Sequence, residues 1–171
     1  RHFDEAVTNK FAKLMSETTD NLRLAYIAPH TAKFKSEYTE QNVRSLAQYG
    51  NSQFAIIGTI DDLSIDRQPA SVFTPWSDDK VDRYFAITLE VFDGINGGRL
   101  FTKSYNTHAE WTFDRFEQID EHSNYFWQSI YGRKTQDLLL DAIQDIKESI
   151  ACQPTTGRVI NVAGDIISIS L

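Results

Sequence analysis

The sequence is poor in cysteine, in clustered basic residues and in long apolar runs, and each shortage argues against a class of protein. Cys152 is the only cysteine, so no disulfide can form within the chain. Seventeen basic residues stand against 24 acidic ones, for a net charge of −7, and the densest basic groups are the pairs Lys33/Lys35 and Arg133/Lys134. Phosphate backbones and anionic lipids repel such a surface, and no apolar run approaches the ~20 residues of a membrane helix. Nucleic acid is therefore a poor candidate partner, and we expect no transmembrane segment.

Catalytic and ligand-binding motifs are missing as well. The nucleophile elbow, the P-loop and the dinucleotide-binding glycine pattern do not occur, and no two histidines stand at i, i+4. His108 and Glu110 share one face of a predicted strand, but a third zinc ligand is not apparent, which favours an ordinary surface pair. Neighbouring acids such as Asp61 and Asp62 point to opposite faces of a strand and cannot converge on a substrate. We predict no catalytic, cofactor-binding or metal-binding residue.

The length and overall composition fit an ordinary globular domain. The chain has 171 residues, of which 41% are hydrophobic and 24% charged, so it can bury a core without a metal or a disulfide. Its first residues, Arg1-His2-Phe3-Asp4, contain neither an initiating Met nor a signal peptide, and we expect a portion of a longer protein. Cys152 is then either a small residue at a helix end or a thiol whose disulfide partner lies outside this chain.

The first fifty residues show a helix, a strand and a second helix. A stripe at helical spacing predicts a first helix of about four turns, which we expect to close at Asn21. Leu22–Ala28 predicts a short buried strand, and Thr39–Tyr49 a second helix with Thr39 as N-cap and Gly50 as the stop. The first stripe consists of Phe3, Val7, Phe11 and Leu14.

A buried strand and a long loop follow. Phe54–Ile60 is rich in β-formers and nearly all apolar, which is typical of a strand buried on both faces. Arg67–Asp82 contains two prolines and several polar residues and predicts a loop of the length that is often functional. Phe73 and Trp76 within it either dock on the core or contact a partner.

The most distinct local signal is a long β-hairpin. Arg83–Phe92 alternates apolar and polar residues, Asp93–Gly98 has turn chemistry, and Arg99–Ala109 runs back. The glycines of the turn precede no helix, so they cannot present a helix N-terminus to a phosphate. The predicted inner face carries Phe85, Ile87, Leu89 and Val91 on the first strand and Phe101, Tyr105 and Ala109 on the second.

The last third of the sequence is helical and then changes its period. Ser123–Tyr131 and Arg133–Ala151 predict two helices with a break at Gly132, the second with an apolar stripe wide enough to pack across a sheet. Gly157–Leu171 alternates with period two around a turn at Ala163–Asp165, which indicates a separate β unit. The stripe consists of Leu138, Leu139, Ala142, Ile143, Ile146 and Ile150.

These elements predict an α/β (α+β) fold in two parts. Residues 1–153 form a domain in which helices cover a mixed sheet with a long antiparallel hairpin. Residues 154–171 form a linker and the start of a β domain.

Several segments resemble bacterial cell-envelope proteins. Gln53–Leu63 is similar to the apolar strand with Gly-Thr-Ile of the TolB N-terminal domain, CsgG and peptidoglycan-synthase activator lipoproteins. Tyr84–Gly98 resembles the strand and Gly-containing turn that follow it there. The opening Arg1–Ala12 and the passage Cys152–Val159 resemble the middle domain, and the start of the C-terminal domain, of the flagellar assembly protein T (FlgT) family.

The resemblance to the FlgT family implies a periplasmic, non-catalytic part of the flagellar basal body at the outer membrane. Such a protein is expected in the H ring, as a homo-oligomer near the L and P rings, where it supports recruitment of the MotX/MotY T ring for motility. The resemblance implies no cofactor.

Two alternatives remain open at this stage. The same fold could serve as a TolB-like or activator-like module that binds a cell-wall enzyme or the Pal/peptidoglycan system. A hydrolase whose site lies in sequence beyond this chain is the other. For a scaffold, the candidate contact residues are Phe73 and Trp76 in the loop, Ile95 and Arg99 at the hairpin end, and Val159, Ile167 and Ile169 in the tail.

Overall fold

The structure is a computed structural model that describes residues 2–20, 22–28, 39–68, 80–114, 117–153, 158–163 and 166–170, the last two ranges as backbone only. Its helices are α1 (His2–Thr18), α2 (Glu40–Tyr49), α3 (Asn124–Gln128) and α4 (Ile130–Ile150). Its strands are β1 (Phe54–Asp62), β2 (Ile65–Gln68), β3 (Lys80–Asp93), β4 (Arg99–Glu110), β5 (Arg158–Ala163) and β6 (Ile166–Ser170).

The main sheet is built around the 14-residue strand β3. β4 pairs with one side of β3, and β1 and β2 follow one another along the other side. The β1–β3 register is irregular between Ile60 and Asp62, within β1, and residues 63–64 separate β1 from β2. The fold class is confirmed as α+β, but every described pairing is antiparallel, where we expected a mixed sheet.

Helices α1 and α4 cover one face of this sheet. The predicted apolar stripes of both helices are buried there, except that Phe11 is only partly covered. Leu139 and Ile146 are fully enclosed and meet the inner residues of the hairpin, which confirms its predicted faces. Burying side chains of this size contributes roughly 1.5–3 kcal/mol each. The hairpin core consists of Phe85, Ile87, Leu89, Val91, Tyr105 and Ala109.

Helix α2 covers the opposite face at one end only. Its Val43 and Ala47 pack on Ala55, Ile57 and Phe92 in a small second cluster. Thr39 caps the helix, as predicted, by accepting a hydrogen bond from the Asn42 N–H. The helix ends at Gly50, where the backbone is still right-handed, and the positive φ of 47° falls on Asn51.

The expectation of a strand at Leu22–Ala28 was wrong. These residues have no regular secondary structure, and Arg23 to Ile27 are exposed. Tyr26 packs on Tyr49 at the end of α2, with ring centroids 5.1 Å apart, instead of entering a ladder. An apolar run favours burial, but strand geometry also requires a neighbouring ladder. α1 ends at Thr18, and Asn21, expected to close it, lies outside the described residues.

Two predicted boundaries also moved. Of the expected loop Arg67–Asp82, Arg67 belongs to β2 and Lys80–Asp82 to β3, and residues 69–79 lie outside the described residues. The helical break expected at Gly132 lies at Ser129, whose hydroxyl accepts from the Gly132 N–H and donates to the Phe126 carbonyl. Gly132 is needed for close packing, since a Cβ there would overlap the main chain of Phe126.

A second, two-stranded sheet follows α4. β5 and β6 pair antiparallel, with Val159 opposite Ile169 and Val162 opposite Ile167. The period-two pattern of Gly157–Leu171 thus predicted its strands. The division into two domains at residue 153 stays a prediction.

Candidate interaction surface

The end of the β3–β4 hairpin is an ordered turn held by side chains. The Asp93 carboxylate accepts hydrogen bonds from the Ile95 N–H at 2.7 Å and from the Asn96 side-chain amide at 2.8 Å. Asn96 in turn accepts from the Gly98 N–H at 2.6 Å. Asx-type bonds of this kind replace backbone pairing in tight turns, so the turn has one defined shape.

This turn is seated against α2. The Gly94 N–H donates to the Gln53 carbonyl at 2.7 Å, and a Cβ on Gly94 would stand 2.7 Å from that of Ala47. Gly97 has a φ of +79°, and a Cβ on it would overlap the backbone of Glu40 at the start of α2. Both glycines are buried. Gly94 and Gly97 therefore permit the close approach of the hairpin end to α2.

Ile95 lies in this turn, and Arg99 is the first residue of β4 after it. Ile95 is 58% exposed although it is apolar and its backbone is fixed by Asp93. Arg99 Nη1 donates to Glu90 Oε1 at 2.8 Å, with 57% of its side chain exposed. An exposed apolar side chain in an ordered turn, followed by an exposed cation at the start of the next strand, is a suitable candidate contact surface.

The other candidate contact residues are not brought to this place by the described structure. Phe73 and Trp76 lie outside the described residues. Val159, Ile167 and Ile169 lie on β5 and β6, in the second sheet.

The polar pairs weighed as catalytic or metal sites have ordinary surroundings. His108 stacks on Tyr84 across the hairpin with ring centroids 5.4 Å apart, and Glu110 is exposed beside it. Asp61 accepts from Thr88 at 2.7 Å, and Asp62 from the Ser64 N–H at 2.7 Å. Within the described ranges, no three His, Cys, Asp or Glu side chains form a group able to hold a metal ion.

The single cysteine lies just beyond α4. The Cys152 thiol is exposed, and its residue follows the helix end at Ile150. Both interpretations of this thiol agree with that position.

Sequence reasoning missed a polar cluster between β4 and α4. Asp145 Oδ2 accepts from Lys103 Nζ at 2.5 Å and from the Tyr105 hydroxyl at 2.7 Å. These two hydrogen bonds hold the pKa of the Asp145 carboxyl below its usual range. Burial, followed by the bond to Asp145, raises the pKa of the Tyr105 phenol well above its usual value. The sequence does contain a sign of this cluster. Lys103 and Tyr105 stand at i, i+2 on one face of a predicted strand, and the predicted last helix has aspartates spaced four residues apart.

A second missed feature is an arginine enclosed by aromatic rings. The Arg83 guanidinium carbon lies 4.4 Å from the ring centroid of Trp111, 5.5 Å from that of Tyr131 and 5.6 Å from that of Phe3. Burial raises the pKa of Tyr131 to about 12. Cation–π contacts tie β3 to α1 and α4 here, so this cluster is best explained as a structural junction.

Comparison with known families shows the family of the chain. The model of the family "Flagellar assembly protein T, middle domain" matches residues 1–121, from α1 through β4 and beyond. The chain belongs to the flagellar assembly protein T family. The match covers more than half of the chain and confirms the resemblance to this family; Arg1–Ala12 lies within the matched residues, and Cys152–Val159 lies beyond them. α3, α4 and the second sheet follow the matched region of the FlgT family model.

Two further observations complete the comparison with the FlgT family. No curated protein matches the chain. None of the helices in the described part of the chain is long and apolar enough to cross a membrane.

Proposed function

We propose that this chain is a non-catalytic scaffold segment of the periplasmic H ring of the flagellar basal body, at the outer membrane. The family match over residues 1–121 carries this proposal, because it places the chain in flagellar assembly. As a ring component it would form a homo-oligomer near the L and P rings and support recruitment of the MotX/MotY T ring. No cofactor is required for such a role.

The structure of the hairpin end supports a role in protein–protein contacts. The turn at the hairpin end is fixed by Asp93 and by α2, yet presents Ile95 and Arg99 to solvent. A preordered surface loses little conformational entropy when it binds, which suits a structural assembly. We propose the hairpin end as one contact and the tail with Val159, Ile167 and Ile169 as a second, beginning a further β domain at residue 154.

An in-frame deletion with complementation tests this function in the source bacterium. We expect the deletion to reduce swimming strongly and the wild-type gene to restore it. Unchanged swimming would contradict a role in motility. A deletion that leaves swimming intact but alters cell-wall synthesis would favour the envelope-enzyme alternative instead.

Surface substitutions test the hairpin end without disturbing the fold. Ile95→Glu with Arg99→Gln should impair complementation, because both changes alter the exposed chemistry of the hairpin end and neither places a carboxylate against Glu90. Ile65→Glu on β2 is a matched control, since Ile65 is also apolar and 52% exposed. Full complementation by the double variant would remove the hairpin end from the contact surface, and equal impairment by Ile65→Glu would show an effect unrelated to position.

A further inference from the structure

Strand β4 forms one edge of the main sheet along its whole length. Its 12 residues contain neither proline nor glycine, and within the described ranges they pair with β3 alone. Natural edge strands are usually protected by proline, bulges or outward lysines. The irregularity of this ladder lies at its very start, at Val91/Phe92, and Lys103 is engaged by Asp145. Among the residues that the structure describes, none gives this edge the usual protection.

The register shows which backbone groups face outward. The Tyr84 N–H donates toward the β1–β2 side, to the Ser64 carbonyl at 2.9 Å, so the neighbouring residues of β3 point to β4. The bond from the Trp111 N–H to the Val81 carbonyl, at 2.7 Å, also joins two odd-numbered residues across the β3–β4 side. Odd-numbered residues of β4 thus bond β3 across the ladder. The even-numbered residues direct their N–H and C=O groups away from the sheet, namely Thr102, Ser104, Asn106 and His108.

A polar groove runs beside this edge, between β4 and α4. It has a volume of about 230 Å³ and is lined from Tyr105 to Thr107 on the strand and by Lys134, Asp137, Leu138 and Asp141 on the helix. Asp137 and Asp141 are exposed, one helical turn apart, and Lys134 is the one cation of the lining. The groove thus carries an excess of negative charge next to free strand hydrogen-bonding groups.

We propose that the β4 edge receives an extended segment of another protein in which Lys or Arg alternates with small or β-branched residues. Main-chain bonds to the even-numbered residues would supply affinity, as in other cases of strand addition. Alternate side chains point to one face of a strand, so the basic ones would share the face on which α4 lies, and neighbouring ones would reach Asp137 and Asp141. The proposal deepens the scaffold function above and rests on it for its biological setting.

The charges favour this occupant over a second copy of the chain. Antiparallel pairing of two β4 strands about a two-fold axis would bring the Asp137/Asp141 groove of each copy toward that of the other. Like charges brought together disfavour such a pair, and the chain as a whole carries −7. A basic strand meets no such repulsion.

Binding of a synthetic peptide to the full 171-residue chain tests the edge directly. The probe is a labelled, end-blocked ten-residue peptide of alternating Thr and Lys, measured by fluorescence anisotropy and by amide hydrogen exchange. We expect saturable binding that weakens with salt, together with new exchange protection at Thr102, Ser104, Asn106 and His108. The alternating Thr-Glu peptide should not bind. A Thr-Lys peptide with every backbone amide N-methylated should bind at least about fivefold more weakly, because it can donate no ladder hydrogen bond from either edge.

Two sets of variants distinguish the contribution of main-chain hydrogen bonds to peptide binding from that of the aspartate charges. Asn106→Pro removes one outward N–H while leaving the bonds to β3, and should weaken binding about tenfold. Asn106→Ala retains that N–H and should bind as wild type. Asp137→Asn with Asp141→Asn leaves the edge intact and should weaken binding about threefold or more at low salt. Circular dichroism checks that each variant is folded, and the charge variant keeps the test valid if Asn106→Pro does not fold.

Several outcomes would overturn the proposal. Equal binding of the methylated peptide, or exchange protection that avoids β4, would show a merely electrostatic association. Concentration-dependent dimers that Asn106→Pro abolishes would assign the edge to a second copy. None of these results bears on swimming of the deletion strain, so failure of this inference is distinguishable from failure of the scaffold function.

Discussion

At the scale of single residues, Gly97 is a position where the main-chain conformation and its close neighbour restrict the residue type. Its φ of +79° disfavours any L side chain, and a Cβ would also overlap the backbone of Glu40. We expect Gly97→Ala to lower the free energy of unfolding by more than the ~1–2 kcal/mol of the left-handed backbone alone. Urea denaturation followed by circular dichroism measures this loss.

Gly98→Ala is the matched control for that substitution. A Cβ there would meet no backbone atom and would stand 2.8 Å from Asn96 Oδ1, so at most the bond that Asn96 accepts from the Gly98 N–H would be disturbed. We expect less than half the loss seen for Gly97→Ala. Equal losses at the two positions would show that the close approach of α2 does not limit the turn.

Asp145 provides a test of the missed polar cluster through its pKa. The hydrogen bonds from Lys103 and Tyr105 depress the pKa of this carboxyl, so carbon-detected NMR titration should give a value below the usual ~3.9. Lys103→Met should raise that pKa, whereas Lys134→Met, elsewhere in the groove, should change it little. Because the folded pKa is the lower one, the contribution of Asp145 to stability is present above the unfolded pKa and is lost as pH falls through the folded value. An unshifted pKa in the wild type would contradict the cluster.

At the scale of elements, Ser129 joins two helices. Its hydroxyl accepts from the Gly132 N–H at 3.0 Å, capping α4, and donates to the Phe126 carbonyl at 2.7 Å, at the end of α3. Ser129→Ala should cost about 1 kcal/mol of unfolding free energy. Ser45→Ala, within the exposed part of α2, should be neutral or slightly stabilising, since alanine is the better helix former. An unchanged free energy of unfolding in Ser129→Ala would mean that this cap does not stabilise the fold.

The elements also show what sequence patterns can predict. The hairpin was predictable because alternation and turn chemistry are both local, and Asp93 and Gly97 act where the pattern placed them. Leu22–Ala28 was mistaken because a strand depends on a partner that local sequence does not reveal. Gly132 was taken for a helix breaker, although its lack of a side chain serves close packing against Phe126.

At the scale of the whole molecule, stability depends on α4 lying across the sheet. Ile146 is completely buried in that contact. Ile146→Ala should therefore lower the free energy of unfolding by about 2–5 kcal/mol. Ile130→Ala, in the first turn of the same helix and 41% exposed, should cost under ~1 kcal/mol. Chemical denaturation measures both, and similar losses would contradict the position of α4.

The candidate surface was less predictable than the fold. Ile95 and Arg99 could be placed at one turn because they are near in sequence. The β4 edge and the acids of α4 are far apart in sequence, and only the assembled sheet shows that they are neighbours. Which strand of a hairpin lies at the edge of the sheet, with no second neighbour, is likewise a property of the whole sheet.

The central claim is that this chain is a structural part of the flagellar basal body. Electron cryomicroscopy of basal bodies, purified from the deletion strain and from the complemented strain, tests it most directly. We predict that averaged images of the deletion strain lack ring density at the periplasmic side of the outer membrane and that complementation restores it. Identical ring density with and without the protein would contradict the account.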